Sequence, residues 1–336
     1  LVEFITTIVL AIMYVDAMAL AVGYVVGSIT GLILSFALIE RKPRFVFNRY
    51  EFFKLFKFGK WVFGSGILIF LILNIDTTVI GKVLGVAMLG YYQIAFRLGN
   101  FAATDIVLTF SKSIYPSFSL VKDDLAILKG YFFTTILIIS AVILPIMVIV
   151  GFYAESFVTN FIGQNWTQII LPLKILIIFG LIRSFASVCG YVFWAVGKPK
   201  IPANISLAQL LLISIIILPL TNEYGIAGTA LAVTIPLAIT SIISFYFVSV
   251  ELKANLKDFL EYLLSPFLSV VFLLVTIFVM KLQFEYIDST LWFVVNAIFL
   301  MLIYSLYLFV FDYFGNKKIS NIVKTIIDHR AMHKSS

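Results

Sequence analysis

Apolar residues fall in long runs along the chain, and short polar clusters punctuate them. The runs are too long for strands and match the ~20 residues a helix needs to cross the hydrocarbon core of a bilayer. Ten stretches are read, at about 1–15, 17–39, 60–80, 86–110, 131–153, 168–196, 200–220, 225–249, 263–281 and 291–313. Tyr14–Asp16 supplies a tight turn between the first two, and 168–196 is long enough to tilt. The predicted fold class is an all-α polytopic membrane protein with about ten transmembrane helices. Beyond them, Ile319, Ile322, Val323, Ile326 and Ile327 oppose Lys324 and Arg330, which predicts a basic amphipathic helix in the tail.

The polar clusters alternate in charge. Arg41, Lys42, Arg44, Arg49, Lys54, Lys57 and Lys60 share one side with Lys112, Lys122, Lys129, Lys198, Lys200, Lys253 and Lys257. Five basic residues of the tail complete a set of 19 among the 24 Lys and Arg residues. The other side carries Lys82 and Lys281 beside Asp16, Glu155, Glu223, Glu285 and Asp288. Positive loops stay in the cytoplasm, so the 40–60 loop and the C-terminus are expected there, in a multi-pass protein of the cell membrane.

Composition agrees. The chain has 336 residues, 62% hydrophobic and 12% charged, and a mean hydropathy of +1.10. That leaves too little polar surface for a soluble enzyme or a nucleic-acid binder. The net charge of +7 is a topology signal. The basic and aromatic run Phe45–Lys60 reads as an interfacial segment on membrane lipids, with no nucleic-acid partner. A single cysteine, Cys189, and two histidines, His329 and His333, leave no internal disulfide and no metal cluster, and no cofactor is expected. Short loops without a phosphate-binding or metalloprotease motif argue against an enzyme. Gly64-Ser65-Gly66 reads as small residues that let helices approach closely. The chain opens at Leu1 inside an apolar run, as a fragment that begins mid-protein would.

Charges within the spans need a reason, because each costs about 2.5–3.5 kcal/mol at the bilayer centre on insertion scales. At 1.5 Å of rise per residue, Arg97 and Arg183 fall near the midplane, Asp76 near the outer face and Asp105 near the cytoplasmic end. Lys174 lies close enough to the outer interface to snorkel. Gln93, Arg97, Asn100, Thr104 and Ser111 form one narrow polar stripe at 100° per residue, which must face protein or water. Arg183 shares a face with Ser184, Ser187 and Gly190, whereas Asn74 and Asp76 diverge by about 200°. Two arginines lining a cavity suit a pyrophosphate-bearing substrate, since guanidinium stays charged and grips phosphate bidentately. The alternative is that carboxylates neutralise each arginine and lock helix packing. Pro145, Pro172, Pro219 and Pro236 lie within or at the ends of spans, where kinks form.

Several short motifs then occur in order: Pro43-Arg44-Phe45, Phe58-Gly59-Lys60-Trp61, Asn74-Ile75-Asp76 and Ile80-Gly81-Lys82-Val83-Leu84-Gly85. The run Leu89-Gly90-Tyr91-Tyr92-Gln93-Ile94-Ala95-Phe96-Arg97-Leu98 is the most specific, followed by Tyr115-Pro116-Ser117-Phe118. Gly163-Gln164-Asn165-Trp166, Gly197-Lys198-Pro199-Lys200 and Tyr224-Gly225-Ile226-Ala227-Gly228 complete the series. On these residues the chain resembles the Wzx-like polysaccharide flippases of the multidrug/oligosaccharidyl-lipid/polysaccharide superfamily, over roughly residues 1–250. The resemblance implies two six-helix lobes across a cavity, with the first four helices lacking here. Residues 1–39 would close the first lobe, 40–60 would be a cytoplasmic linker, and 61–250 the second lobe. Two additional helices over 251–313 and a tail over 314–336 would follow.

The implied activity is alternating-access flipping of polyprenyl-diphosphate-linked oligosaccharide, a polysaccharide or O-antigen precursor, between leaflets. Arg97, Arg183, Gln93 and Asn100 would hold the diphosphate. Asp76, with Asn74 and Lys174, would bind a coupling monovalent cation or proton or serve structure, and polysaccharide assembly proteins are possible partners. A cation-coupled drug or metabolite antiporter ranks lower, because the midplane charges are basic. A membrane polysaccharide polymerase ranks lower again, because the outer loops are short.

Overall fold

The computed structural model describes residues 2–14, 18–39, 48–283 and 290–314. The expected turn at Tyr14–Asp16, the motif Pro43-Arg44-Phe45 and the tail helix lie outside the described residues wholly or in part. The chain divides into two units, Leu1–Leu55 and Phe56–Ser336.

In the first unit, α1 (Val2–Tyr14) packs on α2 (Met18–Leu38). Gly23 and Gly27 carry the contact, since a Cβ at either would overlap Thr7 or Glu3 of α1. Helices in lipid gain little from apolar burial, so backbone approach over small residues supplies the packing instead. Asn48 caps the start of α3 (Arg49–Val83), its Oδ1 accepting from the backbone N–H of Tyr50 at 3.0 Å.

The second unit continues along α3 and returns through α4 (Val86–Phe101), a π-helical stretch Ala102–Val107 and α5 (Leu108–Leu120). Next come α6 (Leu125–Phe152), the short turn α7 (Ala154–Phe157), α8 (Ile170–Ala195), α9 (Lys200–Glu251), α10 (Leu256–Gln283) and α11 (Thr290–Phe314). Asp124 caps α6 by accepting from Ala126 and Ile127 N–H at 3.0 and 3.1 Å. Asn255 and Asp258 exchange side-chain bonds with each other's N–H at the start of α10, a reciprocal capping box.

The 52 residues of α9 are two helices. Straight, they would extend about 78 Å, yet Lys198 and Glu251, flanking its two ends, form an ion pair at 2.7 Å. The chain reverses at Gly225, whose φ of 59° and ψ of −139° suit glycine. Just beyond, Gly228 lies so close to Leu220 that a Cβ would meet its carbonyl oxygen at 1.8 Å. The hydroxyls of Thr221 and Thr229 bond across the hairpin at 2.8 Å.

Seven helices among the described residues are long and apolar enough to cross a membrane. Because α9 folds back it supplies two crossings, and the helical run over 86–120, split by its π turn, supplies another. With α1, which at 13 residues is shorter than a full crossing needs, these match the ten predicted stretches. Helix ends run past the apolar stretches at α3 and α5, where polar residues continue the helix.

The main core joins α4, α6, α8 and the second half of α9 around Tyr92, Phe132, Phe133, Leu173 and Phe193. A second cluster, with Leu273, Leu300 and Tyr304, seats α10 and α11 on α6. There the amide of Asn296 donates to the Tyr153 hydroxyl at 3.1 Å, a buried polar link of the kind that ties membrane helices. A third, Ile72, Ile213, Ile217 and Ala232, joins α3 to the α9 hairpin. The outward faces carry large exposed apolar residues along every long helix, as surfaces that meet lipid tails do.

Candidate functional site

The predicted polar residues separate into three settings. Asp76, 1% exposed, points from α3 into the helix bundle. Its Oδ2 accepts from the Tyr92 hydroxyl of α4 at 2.8 Å and its Oδ1 from the Thr77 N–H at 2.7 Å. Asn74 lies on the opposite, exposed face, its amide donating to the Phe70 carbonyl at 2.7 Å. The divergence read from the helical angle is therefore what the structure shows, and the two do not share a site.

On α4, Gln93 and Arg97 are exposed, whereas Asn100 is buried. Asn100 turns to α8, where its Oδ1 accepts from Arg183 Nη1 at 3.0 Å. The crossing that brings them together is made of glycine on both sides. A Cβ at Gly180 would sit 2.1 Å from the Gly99 carbonyl oxygen, and one at Gly99 would sit 2.6 Å from the Leu176 backbone. Of Gly64-Ser65-Gly66, read as small residues for close approach, Gly64 and Gly66 have nothing within 4 Å of a Cβ position, whereas Ser65 between them is buried. The expectation is corrected for the two glycines: only helical faces that meet another backbone need glycine, and sequence alone does not say which faces meet. The remainder of the stripe divides as well. Thr104 and Asp105 lie in the π-helical stretch, with Asp105 exposed, and the side chain of Ser111 is outside the described ones. Lys174 is exposed in the second turn of α8.

Arg183 is the hub of the site. Its guanidinium bonds Asn100 on one side and lies 6.0 Å from the Phe179 ring centroid, a cation–π distance. Among the described residues, no carboxylate lies within 4 Å of Arg183 or Arg97. The arrangement in which each arginine is neutralised by a contacting carboxylate is thus not the one observed. Asp76 acts on Arg183 only through space. A cationic group in an apolar span without a contacting anion retains the capacity to hold one.

Beyond Arg183 lies a cavity of about 320 Å³ between α3, α8 and the two arms of the α9 hairpin. Arg183, Ser187, Gly190 and Trp194 face it from α8, at steps of four, three and four residues along one helix stripe. Ile69, Ile72 and Leu73 of α3 form an apolar wall opposite. Gln93, Arg97 and Asn100 are not on its lining. Sequence reasoning found Arg183, Ser187 and Gly190 but missed the residues of α9, which carry no charge and reach the cavity only because the hairpin folds back. At the other end of α3, Lys60 and Lys200 both approach the Trp61 ring, with Nζ at 5.5 and 5.6 Å from its centroid.

The sequence model of a family described as "Polysaccharide biosynthesis protein" matches residues 1–171. The lipopolysaccharide biosynthesis protein WzxC of Escherichia coli K12 is 25% identical over 269 residues, covering 79% of this chain and 54% of that protein. The teichuronic acid biosynthesis protein TuaB of Bacillus subtilis 168 is 24% identical over 266 residues, covering 77% and 54%. The chain spans about half the length of these relatives. Among solved structures, the lipid II flippase MurJ in an inward closed conformation superposes with a TM-score of 0.67 at 19% identity, over 93% of this chain and 66% of that one. That likeness shows a shared polytopic helical fold.

Proposed function

The chain belongs to the polysaccharide biosynthesis protein family, and from that premise we propose that it serves a flippase for polyprenyl-diphosphate-linked oligosaccharide. The observation that carries this reading is the pair of spanning helices α4 and α8, each bearing an arginine with no carboxylate in contact among the described residues. Arg97 and Gln93 present an exposed, donor-bearing face of α4, and one turn on, Asn100 orients Arg183. Guanidinium groups are the side chains of choice for a diphosphate, and a cationic surface inside a membrane favours an anionic headgroup over an organic cation. The domain division follows the same reading: residues 1–39 complete a first lobe, 61–250 form a second, and 251–313 add two helices. Asp76, with both oxygens accepting, holds α3 to α4, and Lys174 anchors α8 at the outer interface.

Alternating access then requires α4 and α8 to face the cytoplasm and the outside in turn while the arginines keep the diphosphate out of hydrocarbon. The test is delivery of a fluorescent lipid-linked sugar to the outer leaflet of proteoliposomes containing the intact protein. Arg97→Ala is expected to slow delivery at least tenfold, and Arg97→Ala/Arg183→Ala to abolish it. Wild-type delivery by the double variant would sink the assignment of both arginines.

A further inference from the structure

The seam between α3 and the first arm of α9 opens at its basic end. The two helices are joined further along, in the cluster of Ile72, Ile213 and Ile217. Towards Lys60 a cleft of about 260 Å³ lies between them, lined by Lys60, Trp61, Gly64 and Leu68 of α3 and Ala203, Asn204 and Leu207 of α9. It shares no lining residue with the cavity beside Arg183. Gly64 accounts for the opening, since nothing lies within 4 Å of a Cβ built there. Ala203 adds only a methyl group to the other wall. The small residue that does not bring two helices together therefore leaves a furrow between them.

The chemistry of the cleft is ordered by depth. At its mouth the ammonium groups of Lys60 and Lys200 lie 5.5 and 5.6 Å from the Trp61 ring centroid, so they stand no further from each other than twice that distance. Like charges gathered at one ring repel, and among the described residues no carboxylate lies within 4 Å of either. Both lysines are exposed, so an oxyanion arriving from outside can reach both. One turn further in, about 6 Å of rise from Lys200, Asn204 is exposed and offers amide donors. Beyond it Leu68 and Leu207 are aliphatic, the former about 12 Å in from Lys60. An oxyanion, then acceptors, then hydrocarbon is the order of groups in a diacyl phospholipid: phosphate, ester carbonyls, acyl chain. A polyprenyl phosphate has no ester beneath its phosphate, and a free phosphate has no chain.

We propose that this cleft holds an anionic diacyl phospholipid of the surrounding membrane as a fixed part of the protein. Its phosphate accepts from the Lys60 and Lys200 ammonium groups, and an ester carbonyl accepts from the Asn204 amide. The upper part of one acyl chain lies over Gly64 against Leu68 and Leu207. A zwitterionic headgroup carries its own cation beside the phosphate and competes with the lysines, whereas an anionic one does not, and basic residues near a membrane surface favour anionic lipid. The lipid ties α3 to α9 where the side chains leave them apart. It is a defined site on two helices, distinct from the spread lipid contact of the Phe45–Lys60 run, and it stands whether or not Arg183 holds a diphosphate.

The test reads occupancy without transport. The intact protein, in phosphatidylcholine nanodiscs, receives rising fractions of phosphatidylglycerol brominated on its upper acyl chain while tryptophan fluorescence is followed, because bromine quenches an indole that it touches. Quenching is expected to saturate while phosphatidylglycerol is still a minor lipid, and Trp61→Phe should remove this saturable part. Brominated phosphatidylcholine should quench only in proportion to its fraction. The half-saturating fraction should rise roughly fivefold in Lys60→Gln and again in Lys60→Gln/Lys200→Gln. Gly64→Leu, which fills the furrow and leaves both charges, should abolish saturation. Both lysines are exposed and Gly64 is unobstructed, so these variants keep the fold. Equal curves for the two brominated lipids, or unchanged saturation in the double lysine variant, overturn the site. Saturation that survives Gly64→Leu overturns the seat of the chain. Displacement of the brominated lipid by polyprenyl phosphate more readily than by plain phosphatidylglycerol overturns the diacyl lipid in favour of the cargo.

Discussion

A single methyl group at Gly180 would meet the Gly99 carbonyl at 2.1 Å, so the approach of α4 to α8 is set by two residues that contribute almost no side chain. Overpacking of this sort costs about 1–3 kcal/mol where neighbours can shift, and here the obstacle is backbone. Gly180→Val is expected to lower thermal stability in detergent markedly and to separate Asn100 from Arg183, while Gly64→Val, with open space around its Cβ, should leave stability nearly unchanged. Equal effects at the two positions would refute the crossing. The contrast also marks what the sequence discloses at this scale. Arg183 and Asp76 were legible because a charge inside an apolar run is an anomaly that demands a partner. Gly99 and Gly180 were not, because a glycine in a membrane helix is common and its neighbours come from another helix.

At the scale of elements, the α9 hairpin decides the shape of the cavity. The apolar stretches 200–220 and 225–249 read as separate spans, with Glu223 in the loop between them. What the pattern did not disclose is how tightly the arms close, which Gly228 against Leu220 and the Thr221–Thr229 bond determine. In a continuous helix those two threonines, eight residues apart, would stand about 12 Å from each other. Thr221→Cys/Thr229→Cys, on a Cys189→Ala background, is therefore expected to form a disulfide under mild oxidation, read as protection of both thiols from alkylation. Two freely alkylated thiols would contradict the hairpin. The π-helical stretch at Ala102–Val107 went unread because one extra residue per turn leaves no compositional mark.

For the whole molecule, the charge alternation makes a geometric claim that the second unit allows to be checked at several points. Lys198 pairs with Glu251 at the two ends of the α9 hairpin, and Lys129 pairs with Asp258 between the starts of α6 and α10. Lys60 and Lys200 meet at one tryptophan. Lys60 and Lys200, both assigned to the basic side on charge alone, thus share an end of the bundle, and Lys129 and Lys198 of the same set contact acidic residues that neighbour its Lys257 and Lys253. The pairs themselves are worth little, since exposed ion pairs contribute about 0–1 kcal/mol; their value is that they report register. Because α10 and α11 pack along each other and α11 runs away from the end where Lys281 lies, Phe314 returns to the basic end. Positive loops resist translocation, so we expect that end to be cytoplasmic. A fluorescent protein that folds only in the cytoplasm, fused after Ser336, should be bright, and alkaline phosphatase fused there should be inactive. Phosphatase inserted at Tyr224, the tip of the α9 hairpin, should be active. The reverse pattern at both positions would invert the topology, and with it the leaflet from which, on the proposed function, Arg97 would first meet the diphosphate.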